Sequence, residues 1–276
     1  MIKANYHTHL FYCNHAEGDS FDYIEEAIKN NFLEIGITDH APVLECFMNA
    51  AEYKHTWSHQ PMKLDTMYTK YLPEVRKAKE FFKDKIKVYS GFEVEYLPGN
   101  RYYIEKLRKE VDYLNLGVHF YYLDGKVLNT YYDVDYKTIY GYLDTTIEAI
   151  ETGLFNTLVH PDLFMFSYKN KDGKREFDEA CFDVSRKLIE CCIKNNVYLE
   201  LNANGLRNSI VYSDGTGWLY PYRDFWKLVS EYKDAKVIIG ADAHRTSALA
   251  CGNITLVENF AEELGIKICD FMEINH

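Results

Sequence analysis

The chain has 276 residues, of which 47% are hydrophobic and 26% charged, and this balance excludes disorder as a description of the whole chain. Its formal net charge is −11 at pH 7, which argues against nucleic acid as a partner because phosphate backbones would be repelled. The sequence contains no run of about 18 apolar residues, so we expect neither a membrane span nor a membrane partner.

Cysteine usage and the N-terminal sequence bear on the compartment. The seven cysteines are odd in number and form no Cys-x-x-Cys pair, which is typical of reduced thiols rather than of a disulfide framework. The first ten residues, MIKANYHTHL, lack the apolar stretch of a secretory signal. We therefore expect a cytoplasmic protein, and the sequence leaves its oligomeric state open.

Short apolar runs alternate along the chain with helical patterns. The predicted strands are 4–9, 34–39, 86–94, 113–119, 157–160, 197–202 and 237–241. The predicted helices are 21–30, 65–82, 102–109, 135–152, 178–195, 221–232 and 247–264. Seven such units predict a parallel sheet with helical crossovers. No repeat or linker divides the chain, so we expect a single domain over residues 1–276.

Such a parallel sheet is either open or closed into a barrel, and the sequence favours the barrel. No Gly-x-Gly-x-x-Gly or Gly-x-x-x-x-Gly-Lys-Ser/Thr motif follows a predicted strand, which weakens the dinucleotide-binding and P-loop versions of an open sheet. The side chains that follow the strands are instead of metal-binding types. In a closed barrel the C-terminal ends of the strands converge on one mouth, where the active sites of such folds lie.

Six of the seven predicted strands end in His, Glu or Asp. The nine residues at or just beyond strand ends are His7, His9, His15, His40, Glu93, His119, His160, Asp242 and His244. His7 and His9 are two residues apart on a strand, so they face the same way and can bind one ion together. Nine imidazole and carboxylate ligands are too many for one ion. We predict a multinuclear site for Zn, Mn or Fe; His55, His59 and His276 fall outside the pattern.

Six short motifs carry a family resemblance. They are His7-Thr-His9, Thr38-Asp-His40, Gly91-Phe-Glu93, Gly117-Val-His119, His160-Pro-Asp162 and Asp242-Ala-His244. In this order and over almost the whole chain, they resemble the motifs of the PHP (polymerase and histidinol phosphatase) superfamily. Longer stretches are most similar to its histidinol-phosphate phosphatase branch; two of them are Phe11-Tyr-Cys-Asn-His15 and Glu200-Leu-Asn-Ala-Asn-Gly-Leu-Arg207.

This resemblance implies a distorted, TIM-like (β/α)7 barrel with three divalent ions at the C-terminal ends of its strands. It places the first ion on His7, His9, Glu93 and Asp242, the second on Glu93, His119 and His160, and the third on His15, His40 and His244. It also implies hydrolysis of L-histidinol phosphate to L-histidinol and inorganic phosphate in histidine biosynthesis. In the mechanism we expect, a hydroxide that bridges two ions attacks phosphorus.

Three alternatives stay open at this stage. A PHP-type phosphoesterase for another phosphate ester, such as a nucleotide or a phosphotyrosine, would share the metals and the handling of phosphate. An amidohydrolase also begins with His-x-His, although that group usually has Lys or a second carboxylate after strand four, where this chain has His119. A non-catalytic metal-binding protein would keep the ligands without turnover.

Phosphate positioning calls for arginine, whose planar guanidinium matches two phosphate oxygens. Arg207 follows strand six, the one predicted strand whose end lacks a metal ligand, and we expect it to bind the substrate phosphate. Arg245 is the alternative. Asn202 and Asn204 are expected to line the same mouth and to contact the substrate.

Two aspartates are candidates for catalytic roles. We expect Asp162 either to protonate the leaving oxygen or to orient His160, and Asp39 to hold a ligand histidine in its metal-binding tautomer. The segment 41–67 is long for a βα connection, and loops of this length are often lids or binding loops. We expect it to close over the imidazole end of the substrate.

Overall fold

The computed structural model describes residues 2–44, 62–212 and 215–274. Its main sheet has seven parallel strands, and each strand pairs with the next one along the chain. These strands are β1 (Ala4–Asn5), β2 (Glu34–His40), β3 (Lys87–Val94), β4 (Tyr113–Leu116), β5 (Thr157–Leu158), β6 (Tyr198–Asn202) and β7 (Val237–Gly240). The order confirms the predicted sequence of strands.

The sheet curls until its first and last strands meet. Just beyond β1 and β7, Thr8 forms a parallel bridge with Ala243. The His9 amide donates to the Ala243 carbonyl at 2.8 Å, and the Ala243 amide donates to the His7 carbonyl at 3.3 Å. The stretch of backbone pairing between the first and last strands is short, so the barrel is nearly closed and distorted. The fold is therefore a (β/α)7 barrel of the TIM type, which confirms the predicted fold class.

A helix follows each barrel strand. The helices are α1 (Ser20–Lys29), α2 (Leu72–Phe82), α3 (Arg101–Glu110), α4 (Ile139–Glu151), α5 (Glu179–Lys194), α6 (Arg223–Ser230) and α7 (Gly252–Glu263). A short helical turn, Leu64–Thr66, and a π-helical turn, Met67–Tyr71, lead into α2. Each helix buries an apolar face in the main core, as expected for amphipathic crossover helices.

Local capping explains where two of these helices begin. The Asp19 carboxylate accepts from the amides of Phe21 and Asp22, and the Asp22 carboxylate accepts from the Asp19 amide, which completes a capping box at α1. Asp178 caps α5 in the same way, through the amides of Ala180 and Cys181. Such caps satisfy amide donors that a helix leaves without partners in its first turn.

Tyrosines fill the part of the barrel nearest the N-terminal ends of its strands. Tyr6, Tyr89, Tyr113 and Tyr198 form a buried cluster with Met272, which we call the tyrosine layer. The Tyr113 hydroxyl donates to the Tyr6 carbonyl at 2.8 Å. The backbone amides of Met272 and Glu273 donate to the hydroxyls of Tyr6 and Tyr198, so the C-terminal segment closes this end of the barrel.

Two glycines make room for the central ring of this layer. A Cβ at Gly36 or at Gly91 would overlap the Tyr113 side chain. The three residues lie on neighbouring strands of the barrel, where Gly91 pairs directly with Tyr113. The large ring of Tyr113 on β4 thus fits because Gly36 on β2 and Gly91 on β3 have no side chains.

Several predicted boundaries differ from the observed ones. Three helical segments begin two or more residues later than predicted: α4 at Ile139 instead of 135, α6 at Arg223 instead of 221, and α7 at Gly252 instead of 247. Asp135 instead caps a preceding turn, through the amides of Lys137 and Thr138. Regular pairing in β1 and β5 is also shorter than predicted because the chain leaves the ladder as it approaches the ligand histidines.

Two antiparallel hairpins are absent from the sequence prediction. One joins Phe120–Leu123 to Lys126–Asn129 after β4, and the other joins Ser209–Tyr212 to Gly215–Trp218 after β6. Most of the predicted lid segment 41–67 lies outside the described residues, as do His55, His59 and His276. In the described part of the chain, each helix is too short or too polar to cross a membrane.

Candidate metal centre

The barrel brings all nine predicted ligands together at the C-terminal ends of its strands. His7 and His9 lie just after β1, and His15 lies in the following loop. His40 ends β2, and Glu93 lies near the end of β3. The others come directly after β4, β5 and β7; they are His119, His160, Asp242 and His244. All are buried except His15 and His244, which are partly exposed at the mouth.

Glu93 lies at the centre of the cluster. Its Oε1 atom is 3.0 Å from His160 Nε2 and 3.6 Å from His119 Nε2. Its Oε2 atom lies 3.1 to 3.5 Å from nitrogens of His7, His9 and His40. The carboxylate fits here only because Gly117 has no side chain, since a Cβ at that position would overlap Glu93 Oε1. A carboxylate between two sets of histidines is suited to bridging two ions.

Among the described residues, the predicted ligands alone form three sets in which all ligand atoms lie within 4.8 Å of one another. These sets are His7, His9 and Asp242; Glu93, His119 and His160; and His9, His40 and His244. The second set has the ligands that the family resemblance implied for one ion, and the first set has three of the four implied for another, without Glu93. The third contains His9 where the resemblance implied His15. The His15 ring still lies beside this set, with its centroid 4.9 Å from that of His244 and 5.3 Å from that of His40.

Hydrogen bonds behind the ligands fix which ring nitrogen faces the cluster. Nδ1 of four histidines lies beside an oxygen acceptor: His7 with Glu200 at 2.7 Å, His119 with Glu95 at 2.5 Å, His15 with the Cys13 carbonyl at 2.8 Å and His244 with the Asp242 carbonyl at 3.0 Å. A proton on Nδ1 leaves the lone pair on Nε2, the nitrogen that these rings offer for metal binding. The neutral ligand tautomer is thus set in advance.

The buried charges of the cluster shift one another's protonation. Burial alone would raise the pKa values of Glu93 and Asp242, but the surrounding histidines outweigh it and hold both pKa values well below their usual range. Burial alone would lower the pKa of His7, but Glu200, Asp242 and Glu93 raise it to about 10. Burial and the neighbouring His9 lower the pKa of His244 to about 3. Cation binding at this cluster must therefore displace protons.

Above the ligands lies a pocket of about 230 Å³. Its floor consists of predicted ligand side chains, and its walls of Phe120, Asn129, Tyr131, Asn204, Arg207 and Tyr220. The Tyr131 ring lies nearly parallel to His119, with centroids 5.9 Å apart, and Tyr220 approaches His160 edge-on. A polar, cation-binding floor beneath aromatic walls fits a small molecule with one anionic end and one planar end.

Three of the predicted substrate contacts lie at or near this pocket. Arg207 lies exposed at the rim, where its Nε donates to the Asn204 carbonyl at 3.2 Å. Asn204 lines the wall and donates to Asp242 Oδ2 at 3.0 Å. Asn202 lies deeper and donates to Asp242 Oδ2 at 3.2 Å and to Glu200 Oε2 at 2.9 Å. Asn202 is outside the pocket lining, so it contacts a metal-ligand carboxylate and not the pocket space.

Arg245 is not at the pocket. Its Nε atom lies 3.4 Å from Glu17 Oε1, and both side chains are more than two-thirds exposed. The backbone of Arg245 is extended, so its side chain points away from that of its neighbour His244. Its position therefore does not support the expectation that Arg245 contacts the substrate.

Asp162 also lies apart from the pocket. Its Oδ2 atom accepts from the Tyr222 amide at 2.5 Å and from the Trp226 indole at 3.0 Å. Burial raises the pKa of this carboxyl to about 7. These contacts anchor the start of α6 against the barrel and give Asp162 a structural role; the two expected roles stay predictions.

Asp162→Ala should therefore lower stability. The change leaves two buried N–H donors without an acceptor, at a cost of about 3 kcal/mol in unfolding free energy. For a protein of this size, that corresponds to a fall in Tm of about 6–12 °C, measurable by calorimetry. Asp162→Asn keeps one oxygen acceptor and should lose less than half as much. A variant with unchanged Tm and lost turnover would instead return Asp162 to a catalytic role.

Asp39 lies beside His9 on the edge of the ring opposite Asp242. Its Oδ1 atom accepts from the His40 amide at 2.8 Å and lies 3.7 Å from His9 Nδ1. This position is compatible with holding the His9 tautomer, although the distance is longer than a hydrogen bond. The Cys13 thiol belongs to the same buried group and was missed by the sequence prediction.

Sequence reasoning also missed Glu95 and Glu200. Each is two residues away on its strand from a residue that was singled out, Glu93 and Asn202 respectively. Strand alternation places such pairs on one face, so this signal was available. Tyr131 and Tyr220 follow the two unpredicted hairpins and carry no comparable signal.

The family model of the PHP domain matches residues 5–204. Among curated proteins, the histidinol-phosphatase of Bacillus subtilis (strain 168) is 24% identical over 273 residues, covering 89% of this chain and 94% of that protein.

Two solved structures share the fold. One, from Listeria monocytogenes, has a TM-score of 0.70 and 22% identity and covers 92% of this chain and 99% of that one. The other is the histidinol phosphate phosphatase of Lactococcus lactis subsp. lactis, in complex with Zn, L-histidinol and phosphate. It has a TM-score of 0.66 and 17% identity and covers 96% of this chain and 95% of that one. At these identities the two structures establish the fold alone.

Proposed function

This chain belongs to the PHP domain family, and on that premise we propose that it hydrolyses L-histidinol phosphate to L-histidinol and inorganic phosphate in histidine biosynthesis. The observation that carries the proposal is the cluster of nine candidate ligands, seven of which form the floor of a small pocket with Arg207 at its rim. The Bacillus relative is named for this activity, and the Lactococcus structure holds both products of the reaction.

We also propose that residues 1–276 form one PHP-type barrel domain and that the protein is cytoplasmic. Free thiols support that compartment: Cys13, Cys181, Cys191, Cys192, Cys251 and Cys269 form no disulfide in the described chain. The substrate is a small phosphate monoester, and neither nucleic acid nor a membrane is a partner in this proposal.

The donor set fits three divalent ions of Zn, Mn or Fe, because buried imidazole and carboxylate ligands suit these metals. The first ion is held by His7, His9, Glu93 and Asp242, the second by Glu93, His119 and His160, and the third by His15, His40 and His244. His9 Nδ1 and His160 Nδ1 are buried without hydrogen-bond partners. Rotation of these rings on metal binding would therefore break no existing hydrogen bond at Nδ1.

Divalent ions bound here lower the pKa of water towards neutrality and offset phosphate charge. The side chains of the protein orient the ligands, bind the phosphate and exclude water. The carboxylates of Glu95 and Glu200 hold His119 and His7 by Nδ1, which keeps the ligand lone pairs aimed at the cluster. The Arg207 guanidinium binds phosphate oxygens at the rim. The rings of Tyr131 and Tyr220 exclude water from the organic end of the substrate.

Arg207→Ala should raise KM for histidinol phosphate about 10- to 100-fold, because one charge-assisted contact to phosphate is worth about 1.5–3 kcal/mol. The metal content, measured by elemental analysis, should not change, since the guanidinium of Arg207 bonds to the Asn204 carbonyl at the rim. The matched control is Arg245→Ala, which removes an exposed arginine paired with Glu17 and should leave the kinetics as they are. Equal kinetics for the two variants would remove Arg207 from the phosphate site.

Substrate preference tests the proposed function directly. Phosphate release from L-histidinol phosphate should exceed release from a nucleotide monophosphate, phosphotyrosine and p-nitrophenyl phosphate by about 100-fold in kcat/KM, or about 2.7 kcal/mol of transition-state preference. If another ester is turned over faster, the metal centre remains and the substrate assignment is wrong. The aromatic walls would then hold a nucleobase or a phenyl ring.

A further inference from the structure

Among the described residues that lie behind the candidate ligands, the buried carboxylate of Glu200 contacts the largest part of the cluster. Glu200 lies in β6 with 1% of its surface exposed. Three donors face its two oxygens: His7 Nδ1 at 2.7 Å, the His160 amide at 3.1 Å and Asn202 Nδ2 at 2.9 Å. The sequence prediction gave this strand no role in metal binding.

The two oxygens of Glu200 serve different donor sets. Oε1 accepts from His7, which belongs to the set with His9 and Asp242. Oε2 accepts from the backbone amide of His160, which belongs to the set with Glu93 and His119. His160 has a φ of +34°, a left-handed conformation that is costly for a residue with a side chain. The hydrogen bond to Glu200 stabilises this backbone and so places the ligand ring.

A second connection runs through Asn202. Its side-chain amide donates both to Glu200 Oε2 and to Asp242 Oδ2. Asp242 also has a left-handed backbone, with a φ of +46°. Glu200 thus reaches a carboxylate ligand through Asn202 as well as one imidazole directly.

The neighbouring strand is adapted to this carboxylate. A Cβ at Gly240, in β7, would overlap the Glu200 side chain. Glu95 shows a contrasting arrangement, because in the described part of the chain it accepts from His119 Nδ1 and from the amides of His119 and Phe120, which belong to one side of the cluster. Glu95 therefore supports one donor set, whereas Glu200 supports two.

We propose that Glu200 is a positioning residue that couples the two donor sets, so that its loss weakens metal binding at both. The inference rests on the metal centre of the proposed function and is independent of the substrate. In Glu200→Gln the side chain keeps its shape but has one oxygen acceptor instead of two. The NH2 group then faces either His7 Nδ1 or the His160 amide, which loses its acceptor, and the other donor keeps only a neutral, weaker acceptor. The hydrogen bonds to both donor sets are therefore weakened.

The test is zinc binding by the full chain, measured as zinc per chain over a series of buffered free-zinc concentrations. Glu95→Gln is the matched control, since it makes the same change behind a single donor set. We expect about a 10- to 100-fold weakening at one class of site in Glu95→Gln and at two classes in Glu200→Gln. Zinc affinities in Glu200→Gln within about twofold of the parent, or weakened at one class alone, would overturn the proposal.

Gly240→Ala provides a second route to the same state, because it displaces the carboxylate without altering any ligand. It should reproduce the zinc binding of Glu200→Gln, while Gly252→Ala, where an added Cβ meets no atom within 4 Å, should match the parent. If neither variant folds by circular dichroism, Glu200→Asp decides, since it keeps the charge but is too short to reach both His7 and His160.

The increase in Tm on adding zinc separates positioning from a purely structural role. We expect this increase to shrink in Glu200→Gln and in Gly240→Ala. Equal falls in Tm with and without zinc, together with parental zinc affinity, would show that Glu200 only stabilises the barrel. Because none of these measurements uses a substrate, failure to hydrolyse histidinol phosphate would overturn the proposed function and leave this inference standing.

Discussion

Glu93→Gln should reduce kcat/KM at least about a thousandfold, which corresponds to about 4 kcal/mol of transition-state stabilisation. The reason is its central position: its two oxygens lie within 3.6 Å of nitrogens from five histidines. An amide keeps the shape but loses the negative charge and one acceptor oxygen. Steady-state kinetics with histidinol phosphate measures the loss, and elemental analysis reports the accompanying fall in bound metal.

The matched control is Glu105→Gln on α3. Glu105 pairs with Arg101 one helical turn away and is 40% exposed, so the same chemical change there should alter kcat/KM by less than about twofold, as for most exposed ion pairs. If Glu93→Gln retained most of the activity with its metals bound, the carboxylate would not be a bridging ligand.

Removal of the metals with a chelator should abolish turnover and lower Tm by at least about 8–16 °C, the contribution of a single occupied site. A ligand present at 1,000 times its Kd stabilises the folded state by about 4 kcal/mol per site, and each kcal/mol shifts Tm by roughly 2–4 °C in a protein of this size. The physical cause is the cluster itself, in which buried histidines and carboxylates lose their cation partners. Differential scanning calorimetry before and after dialysis against the chelator measures the shift.

Adding back Zn, Mn or Fe separately should restore both activity and Tm, and the most effective ion identifies the native metal. Turnover by protein shown to be metal-free by elemental analysis would contradict the proposed chemistry. A Tm that is unchanged on chelation would show that the folded chain binds the ions no more tightly than the unfolded chain does.

The parts of the fold that follow from periodicity were predictable. Each barrel strand is a short apolar run followed by a helical pattern, and this alternation is the sequence signature of parallel βα units. The positions of the candidate ligands could also be predicted, because a residue directly after a parallel strand of a closed barrel lies at the mouth formed by the C-terminal strand ends. His119 and His160 are far apart in sequence, and the convergence of β4 and β5 brings both to Glu93.

Side-chain direction was not predictable for residues outside regular strands. Arg245 and His244 are neighbours, yet one faces the surface and the other the cluster, which depends on the extended backbone at Arg245. Asp162 follows His160 by two residues, but the left-handed backbone of His160 breaks the alternation that would have placed them together. The partners of Asp162 are in α6, sixty residues further on, and no local pattern reports such a contact.

The glycines beside Tyr113 have an evolutionary consequence. Because Gly36 and Gly91 vacate the space that the Tyr113 ring occupies, substitutions at these three positions are not independent. A homologue with a larger residue at the position of Gly36 or Gly91 should carry a smaller one at the position of Tyr113. The three positions should therefore covary across the family. The glycine of the Gly91-Phe-Glu93 motif is then required by the size of the Tyr113 ring on β4.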